Sequence, residues 1–313
     1  MSTTSPAVSV VIPAYQVTRY ITETVESALQ QTFANYEIIV VNDGCPDSEA
    51  LERALDPYRH RLVYLRKENG GLASARNAGM RLSRAPLVAF LDGDDAWAPD
   101  YLSVQTDFLD KHPAVDVVYP NGVFIGDRRV AGRELMEFSP SNGAVTLESL
   151  VSLKCAVFYS VTARKEVLLR LGGFDESLRR VEDFDMWLRV VMAGGRIEYH
   201  HKPLLRYRQR GDSLSSDSVA MLHTDLHVLQ KLESTHSLSQ TQLTAVRQAR
   251  RHFLSMLAYH SGRVALRDGD ATAALIQFRE LNKYKWTPKN ALRIALIRFT
   301  PKLARKLMRQ SPR

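Results

Sequence analysis

Three aspartates crowd a short segment that follows an apolar run. In Phe90-Leu-Asp-Gly-Asp-Asp-Ala-Trp97, the side chains of Asp92, Asp94 and Asp95 lie within one predicted turn. Uncompensated carboxylates repel each other at the end of a buried strand, and a divalent cation relieves that repulsion. Mg²⁺ binds through one or two carboxylates together with phosphate oxygens. The segment therefore indicates a site for Mn²⁺ or Mg²⁺ and a diphosphate, with a solvated acidic turn as the alternative.

A second acidic pair opens a helical pattern. Glu182 and Asp183 directly precede Phe184, Leu188 and Val191, which share one helical face. Negative charge at a helix start is favoured by the helix dipole, and this role alone explains both acids. A catalytic carboxylate is the alternative.

Two strand-end turns carry residues suited to a nucleoside. Ile12-Pro-Ala-Tyr15 and Val40-Val-Asn-Asp-Gly44 each follow an apolar run. In an open α/β sheet, ligands bind outside the carboxyl ends of the strands. Tyr15 offers an aromatic face for a base, and Asp43 can accept hydrogen bonds from a uracil N–H or a ribose hydroxyl. Ordinary strand-end turns are the alternative.

A glycine pair precedes a helical pattern in Asn69-Gly-Gly-Leu-Ala-Ser-Ala-Arg-Asn-Ala-Gly79. Glycine permits close backbone approach, and the N-terminus of the following helix favours an anion. Arg76 and Asn77 lie one turn into this helix, where they could contact a phosphate or orient an acidic loop. Gly-Gly before a helix is weak evidence by itself.

The elements that position these residues alternate between strands and helices. β-rich runs recur with helical patterns between them, which predicts βαβ units and a mostly parallel sheet flanked by helices. The predicted strands of this part are Val8–Ile12, Glu37–Val41, Leu62–Leu65 and Pro86–Leu91. The fold class is therefore α/β and Rossmann-like.

The rest of the first domain is mixed, and a helical region follows. We predict short strands at Val115–Tyr119, Val123–Ile125, Ile197–Tyr199 and Leu204–Arg208, and a loop from Gly126 to Gly143. No convincing strand follows Ser216, and the helical patterns there cover 217–235, 240–261, 271–284 and 289–310. The predicted domains are 1–215 and 216–313.

The positive charge is concentrated at the C-terminus. The chain has 313 residues and a formal net charge of +8, with 42 Lys and Arg against 34 Asp and Glu. Ten of these basic residues and no acidic residue lie between Lys283 and Arg313, so the remainder is nearly neutral. Hydrophobic residues make up 45% of the chain, which excludes wholesale disorder. No apolar run is long enough to span a bilayer.

The expected compartment is the cytoplasm. The segment Met1–Ala7 has no basic region typical of a signal peptide, and two cysteines cannot form a disulfide framework.

The basic tail has an amphipathic pattern. Leu292, Leu296, Phe299, Leu303 and Leu307 fall on one predicted stripe, with basic residues opposite. Such helices suit an anionic membrane surface, which would place the protein peripherally at the inner face of the cell membrane. The alternative is that the stripe packs on the domain. Nucleic acid is not an expected partner, since no base-stacking module accompanies the charge.

The ordered set of motifs resembles the family 2 glycosyltransferases, an inverting group with the GT-A fold. The resemblance covers about residues 8 to 215. It rests on the four motifs above, on Gly172-Gly-Phe-Asp-Glu176 and on Glu182-Asp183, which occur in the family's order. It implies a glycosyltransferase of hexosyltransferase type, a nucleoside-diphosphate sugar as donor with a UDP-sugar favoured, and a saccharide or lipid-linked acceptor. Surface polysaccharide or glycolipid synthesis is the implied setting.

The resemblance also implies roles at matching positions. Pro13, Ala14, Tyr15 and Asp43 hold the nucleoside. The residues expected near the donor are Arg76 and Asn77.

The acidic motifs receive metal and catalytic roles in the same way. Asp92 and Asp94 form the Asp-X-Asp pair that holds the divalent cation, with Asp94 as the more direct ligand. Asp183 is the general base, supported by Glu182. Trp187 borders the acceptor site.

One departure concerns the metal. The segment Tyr207-Arg-Gln-Arg-Gly-Asp-Ser-Leu-Ser215 resembles a family stretch that often carries histidine where this chain has Arg210. Arginine stays protonated and cannot ligate a cation, but it can clamp a diphosphate directly.

Two other classes of function are considered. One is a nucleotidyltransferase of related fold, which normally has a Gly-rich phosphate loop that Pro13–Val17 lacks. The other is a catalytically silent protein that binds nucleotide sugars or acts as a membrane scaffold. The intact acidic motifs favour the enzyme.

Overall fold

The computed structural model describes residues 5–126 and 130–309. The chain divides into two compact units, Met1–Asp212 and Ser213–Arg313. The predicted boundary near residue 215 lies close to this division.

The strands of the first unit form one sheet. Within the described residues its order is β3-β2-β1-β4-β7-β6-β8-β5, with four parallel and three antiparallel neighbour pairs. The strands are β1 (Val8–Ala14), β2 (Tyr36–Asp43), β3 (Val63–Lys67), β4 (Leu87–Phe90), β5 (Ala96–Trp97), β6 (Val117–Ile125), β7 (Thr162–Arg164) and β8 (Ile197–Arg208). The predicted α/β fold class is confirmed, and the sheet is mixed because β7 and β5 pair antiparallel to their neighbours.

Helices flank this sheet. They are α1 (Ile21–Leu29), α2 (Ser48–Leu55), α3 (Leu72–Leu82), α4 (Tyr101–Lys111), α5 (Leu147–Val151), α6 (Lys165–Arg170) and α7 (Glu182–Met192). Because β1, β2 and β4 are covered on both sides, nearly every side chain in them is buried. This explains why these strands read as continuous apolar runs rather than as alternating patterns.

Several predicted elements differ from the structure. The two strands predicted at 115–119 and 123–125 are one strand, β6, and the two predicted at 197–199 and 204–208 are one strand, β8. The register of the pairing between β6 and β8 shifts around Asn121. The strand continues through this irregularity, which the sequence pattern indicated as a break. The predicted loop 126–143 contains a short 3₁₀ helix at Leu135–Glu137, and residues 127–129 lie outside the described ones.

The second unit, in its described part, is helical. Its helices are α8 (Ser218–Thr235), α9 (Gln240–Asp268), α10 (Ala271–Tyr284), α11 (Pro288–Phe299) and α12 (Pro301–Arg309). A cluster of buried apolar side chains from α9 to α12 forms its core. Along 5–126 and 130–309, none of the helices combines the length and the apolar composition needed to cross a membrane.

Candidate active site

The strand-end turns meet at one rim of the sheet. In the parallel ladder of β1 with β2, Ala14 lies opposite Asn42, and in that of β1 with β4, Val11 lies opposite Phe90. The carboxyl ends of these strands therefore lie side by side. Tyr15 follows β1 and is 42% exposed, whereas Ala14 is buried.

The acidic turn lies against the end of β1 because of a glycine. A Cβ added to Gly93 would lie 2.8 Å from the carbonyl oxygen of Pro13 and 2.8 Å from Val17. Only glycine tolerates this close approach without displacement of its neighbours. The turn that carries Asp92 and Asp94 is thus held beside the turn after β1.

Asp43 holds the glycine pair in place. Its buried carboxylate accepts hydrogen bonds from the backbone N–H of Gly70 at 3.0 Å and of Gly71 at 2.8 Å. Lys67 Nζ lies 2.6 Å from the same carboxylate. Three of about four acceptor positions of Asp43 are therefore used within the protein.

Arg76 is the buried centre of the acidic cluster. Its guanidinium, 1% exposed, donates to Asp92 Oδ1 at 2.8 Å and to Glu182 Oε1 at 2.5 Å. It also lies over the rings of Tyr159 and Phe174. One buried cation thus joins the turn after β4 to the start of α7, which lies 90 residues later in the chain.

The charges around Arg76 interact strongly. Burial disfavours the charged guanidinium, but the carboxylates of Asp92, Glu182 and Asp183 outweigh it and raise the pKa of Arg76. Burial raises the pKa of each of these three acids, and Arg76 opposes the increase in every case. The acids therefore surround one cation in a poorly solvated place.

Asp183 lies at the first turn of α7 and is partly exposed. Its Oδ1 accepts a hydrogen bond from the backbone N–H of Phe184 at 2.8 Å. Val181, the residue before the helix, has φ +62°, a left-handed conformation that is rare for a β-branched side chain. Such strain clusters at functional sites, and here it lies immediately before the turn that carries Glu182 and Asp183.

Asp94 is paired with Arg210. Arg210 Nη1 lies 2.9 Å from Asp94 Oδ2, and its Nε lies 2.9 Å from Asp212 Oδ1. The hydrogen bond with Asp212, followed by the charge of Asp94, raises the pKa of Arg210. Burial and the charge of Asp92 raise the pKa of Asp94, against the lowering effect of Arg210.

Asp95 has a structural place in the acidic turn. Its carboxylate is 2% exposed and accepts a hydrogen bond from the backbone N–H of Arg208 at 2.6 Å. Burial raises the pKa of Asp95 well above its ordinary value. The side chain of Arg208 also donates to the carbonyl of Asp94 at 2.8 Å, so β8 anchors the turn.

The fit of a divalent cation can be tested on these contacts. Among the described residues, no three His, Cys, Asp or Glu side chains are arranged to hold a metal without further ligands. Asp92 and Asp94 are each about one-fifth exposed, and each uses one oxygen on an arginine. One or two carboxylates suffice for Mg²⁺ when phosphate oxygens complete its shell. The donor set therefore fits a cation that arrives with a diphosphate.

Two predicted site residues are used within the protein. The side-chain amide of Asn77 donates to Phe174 O and Glu176 Oε1 and accepts from Phe174 N–H, at 2.8–2.9 Å. Asn77 therefore holds the loop before α7. Trp187 is 1% exposed and packs edge-on against Phe174. Both side chains are buried, and the contacts that they make are with the segment before α7.

Of the two roles considered for Arg76, its contacts support the orientation of an acidic loop. At 1% exposure its guanidinium pairs with Asp92 and Glu182, so it positions these acids rather than facing solvent. Arg208 and Lys67 are the contributors that the sequence reasoning missed. Arg208 and Arg210 are two residues apart at a strand end, a spacing that can place both on one face. No comparable pattern marks Lys67.

Comparison with known sequences gives a consistent result. The family model described as Glycosyl transferase family 2 matches residues 9–168. The chain is 29% identical to an uncharacterized glycosyltransferase of Rickettsia prowazekii, over 81% of this chain and 79% of the relative. It is 27% identical to the minor teichoic acid biosynthesis protein GgaB of Bacillus subtilis, over 68% of this chain and 24% of the relative. It is 33% identical to chondroitin synthase of Escherichia coli, over 60% of this chain and 27% of the relative.

Two solved structures share the fold. The complex of S. aureus TarS residues 1–349 with UDP-GlcNAc matches with a TM-score of 0.64 and 19% identity, over 97% of this chain and 90% of that one. Mannosyltransferase PcManGT from Pyrobaculum calidifontis, in complex with GDP-Man and Mn²⁺, matches with a TM-score of 0.62 and 16% identity. This match covers 97% of this chain and 87% of that one. At these identities the likeness shows the fold alone, and the predicted GT-A fold is confirmed.

Proposed function

Because the chain belongs to glycosyltransferase family 2, we propose that it transfers a sugar from a nucleoside-diphosphate sugar to an acceptor hydroxyl with inversion at the anomeric carbon. A UDP-sugar is the favoured donor. The proposal is supported most by one observation: Arg76 brings the Asp92 turn and the Glu182–Asp183 helix start together at one rim. Family membership favours this function over a nucleotidyltransferase or a silent binding protein.

The proposed chemistry places a base opposite a leaving group. An acceptor hydroxyl is a poor nucleophile until its proton is removed, and a carboxylate within about 3 Å can take it during attack. Asp183, partly exposed at the start of α7, is the proposed base. Attack from the face opposite the diphosphate inverts the anomeric centre. Glu182 supports the base by keeping Arg76 in place.

The donor is proposed to lie along the ends of β1 and β2. Tyr15 stacks on the base, the backbone of Pro13 and Ala14 lines the pocket, and the remaining acceptor position of Asp43 takes a uracil N–H or a ribose hydroxyl. Arg210, beside Asp94, neutralises negative charge on the diphosphate.

Asp92 and Asp94 are the residues that would hold Mn²⁺ or Mg²⁺. When bound there with the donor, the cation would stabilise charge on the diphosphate. The PcManGT structure contains Mn²⁺ together with GDP-Man, which supports a divalent cation as part of the proposal.

The biological setting is proposed from two of the relatives. GgaB is named for teichoic acid biosynthesis, and the Escherichia coli relative is a chondroitin synthase. We propose a saccharide or lipid-linked acceptor in surface polysaccharide or glycolipid synthesis, and a peripheral location at the inner face of the cell membrane.

A thermal-shift panel of nucleoside-diphosphate sugars, with and without Mn²⁺, tests the donor. A ligand present at about 100 times its Kd stabilises the folded state by about 2.7 kcal/mol, so a true donor should raise Tm clearly. We expect a UDP-sugar to give the largest shift. Arg210→Ala should weaken that shift, whereas Arg53→Ala, at an exposed position on α2, should not. A panel in which every nucleotide sugar leaves Tm unchanged would contradict the proposal.

The pH dependence of transfer tests the base. Burial raises the pKa of Asp183, and a base works only when deprotonated, so activity should be lost on acidification at a higher pH than for an ordinary aspartate near 3.9. We expect kcat/KM to fall as the pH drops towards this raised pKa. Circular dichroism over the same range separates this effect from unfolding. A rate that stays constant down to about pH 4 would refute the assignment.

A further inference from the structure

The last two helices and the segment before them present apolar side chains to solvent. Ile297 of α11 and Ala304 of α12 are buried in the core of the second unit. In contrast, Trp286 is 67% exposed and Phe299 is 74% exposed. Among the described side chains from residue 285 to 307, the large exposed apolar ones, which we call the tail face, are Trp286, Leu292, Phe299, Leu303 and Leu307. The predicted stripe therefore does not pack as a unit, since its outer members stay in solvent.

The exposed side of α11 is apolar at its centre. Leu292, Ala295 and Phe299 follow each other at spacings of three and four residues, and all three are exposed. Lys289 and Arg298 are exposed too, and at about 100° per residue they fall on either side of this apolar strip. A solvent-facing helix normally has the reverse arrangement, with polar residues at the centre of its exposed face.

The exposed side of α12 continues the pattern. Leu303 and Leu307 are four residues apart on one side, and Lys302 and Lys306 are four residues apart on the adjacent side. Lysine stems can lie along an apolar surface while their charged ends stay in water. The chain offers no acidic residue from Lys283 onwards to neutralise these charges.

We propose that the tail face binds the surface of an anionic lipid bilayer. Its apolar side chains enter the boundary between headgroups and acyl chains, and the flanking lysines and arginines contact negative headgroups. Charge complementarity selects this occupant, because a purely apolar protein partner would leave the basic flank unpaired. A polynucleotide would leave the apolar centre uncovered.

The proposed lipid binding extends the membrane location given under the proposed function, and it rests on the proposed function for that location alone. A lipid-bound tail would keep the enzyme near a lipid-linked acceptor. Binding to vesicles does not require sugar transfer, so the two proposals can fail separately.

Co-sedimentation of the full chain with vesicles tests the proposal. We expect binding to vesicles of phosphatidylcholine mixed with phosphatidylserine, weaker binding to phosphatidylcholine alone, and release by salt. Phe299→Ser with Leu303→Ser should abolish most of the binding. Lys302→Gln with Lys306→Gln should weaken it about 5-fold per charge. Leu169→Ser, at an exposed leucine of the first unit, is the matched control and should bind as the unchanged protein does.

Tryptophan fluorescence gives an independent readout. The chain has three tryptophans, and Trp97 and Trp187 are buried, so a blue shift on adding vesicles reports on Trp286. Trp286→Phe should remove the shift. Equal sedimentation of the Phe299→Ser, Leu303→Ser variant and the unchanged protein would overturn the inference. Tighter binding to double-stranded DNA than to anionic vesicles would also overturn it. A normal donor thermal shift in either case leaves the glycosyltransferase proposal standing.

Discussion

Asp183→Asn is expected to lower the rate of sugar transfer by about 10²–10⁴-fold, which is the usual contribution of a general base. The amide has nearly the shape of the carboxylate and can still accept a hydrogen bond from the Phe184 N–H through its oxygen. It cannot accept the proton of an acceptor hydroxyl. The loss should appear in kcat, measured by donor consumption with acceptor present.

Donor binding separates a lost base from a lost fold. Because Asp183 is proposed to face the acceptor, the thermal shift given by the donor should change little in Asp183→Asn. Asp107→Asn removes a charge from an exposed surface pair with Lys111 and should transfer sugar normally. An Asp183→Asn variant that retains the transfer rate would exclude Asp183 as the base.

Arg76→Met is expected to lower the free energy of unfolding by about 3–5 kcal/mol, the usual cost of removing one partner from a buried ion pair. Methionine fills much of the space, but it leaves Glu182, 4% exposed, without its cation. Asp92 loses its partner in the same change. Urea denaturation of the two proteins measures the difference.

Arg53→Met is the matched control for this change. Arg53 is 70% exposed and pairs with an exposed glutamate one helical turn away, so its loss should cost at most about 1 kcal/mol. If Arg76→Met were as stable as this control, the ion pairs of the buried guanidinium would not be what holds the two acidic segments together.

The sheet could be predicted because its central strands are long and apolar on both faces. β1 and β2 each contain an uninterrupted run of branched apolar residues, and the polar residues after them mark where each strand ends. Because these strands are parallel, the residues that follow them lie at a shared rim of the sheet. This is why the turns at Asp43 and Asp92 could be placed at the same edge of the sheet from the sequence.

The missed elements are short or irregular. β5 has two residues and β7 has three, too few for any period to be recognised. In β6, Pro120 and Gly122 resemble a strand break, but they lie at an irregularity that pairing with β8 compensates. Tertiary pairing, rather than local propensity, makes these segments strands.

The roles of individual side chains depended on distant partners. Asn77 bonds to Phe174 across 97 residues, and Arg76 bonds to Glu182 across 106. The order of motifs along the chain showed that these residues share a region. It did not show which of them face a substrate and which hold the others, because that depends on burial.

The contacts of Asp43 bear on how fast and how tightly the proposed nucleotide donor would bind. Asp43 already holds the backbone amides of Gly70 and Gly71 and pairs with Lys67, so this part of the rim is fixed before any ligand arrives. A preformed site loses little binding free energy to the ordering of loops. Binding there should resemble rigid-body docking, and the selectivity between nucleotides would come from shape complementarity rather than from rearrangement of the protein around the ligand.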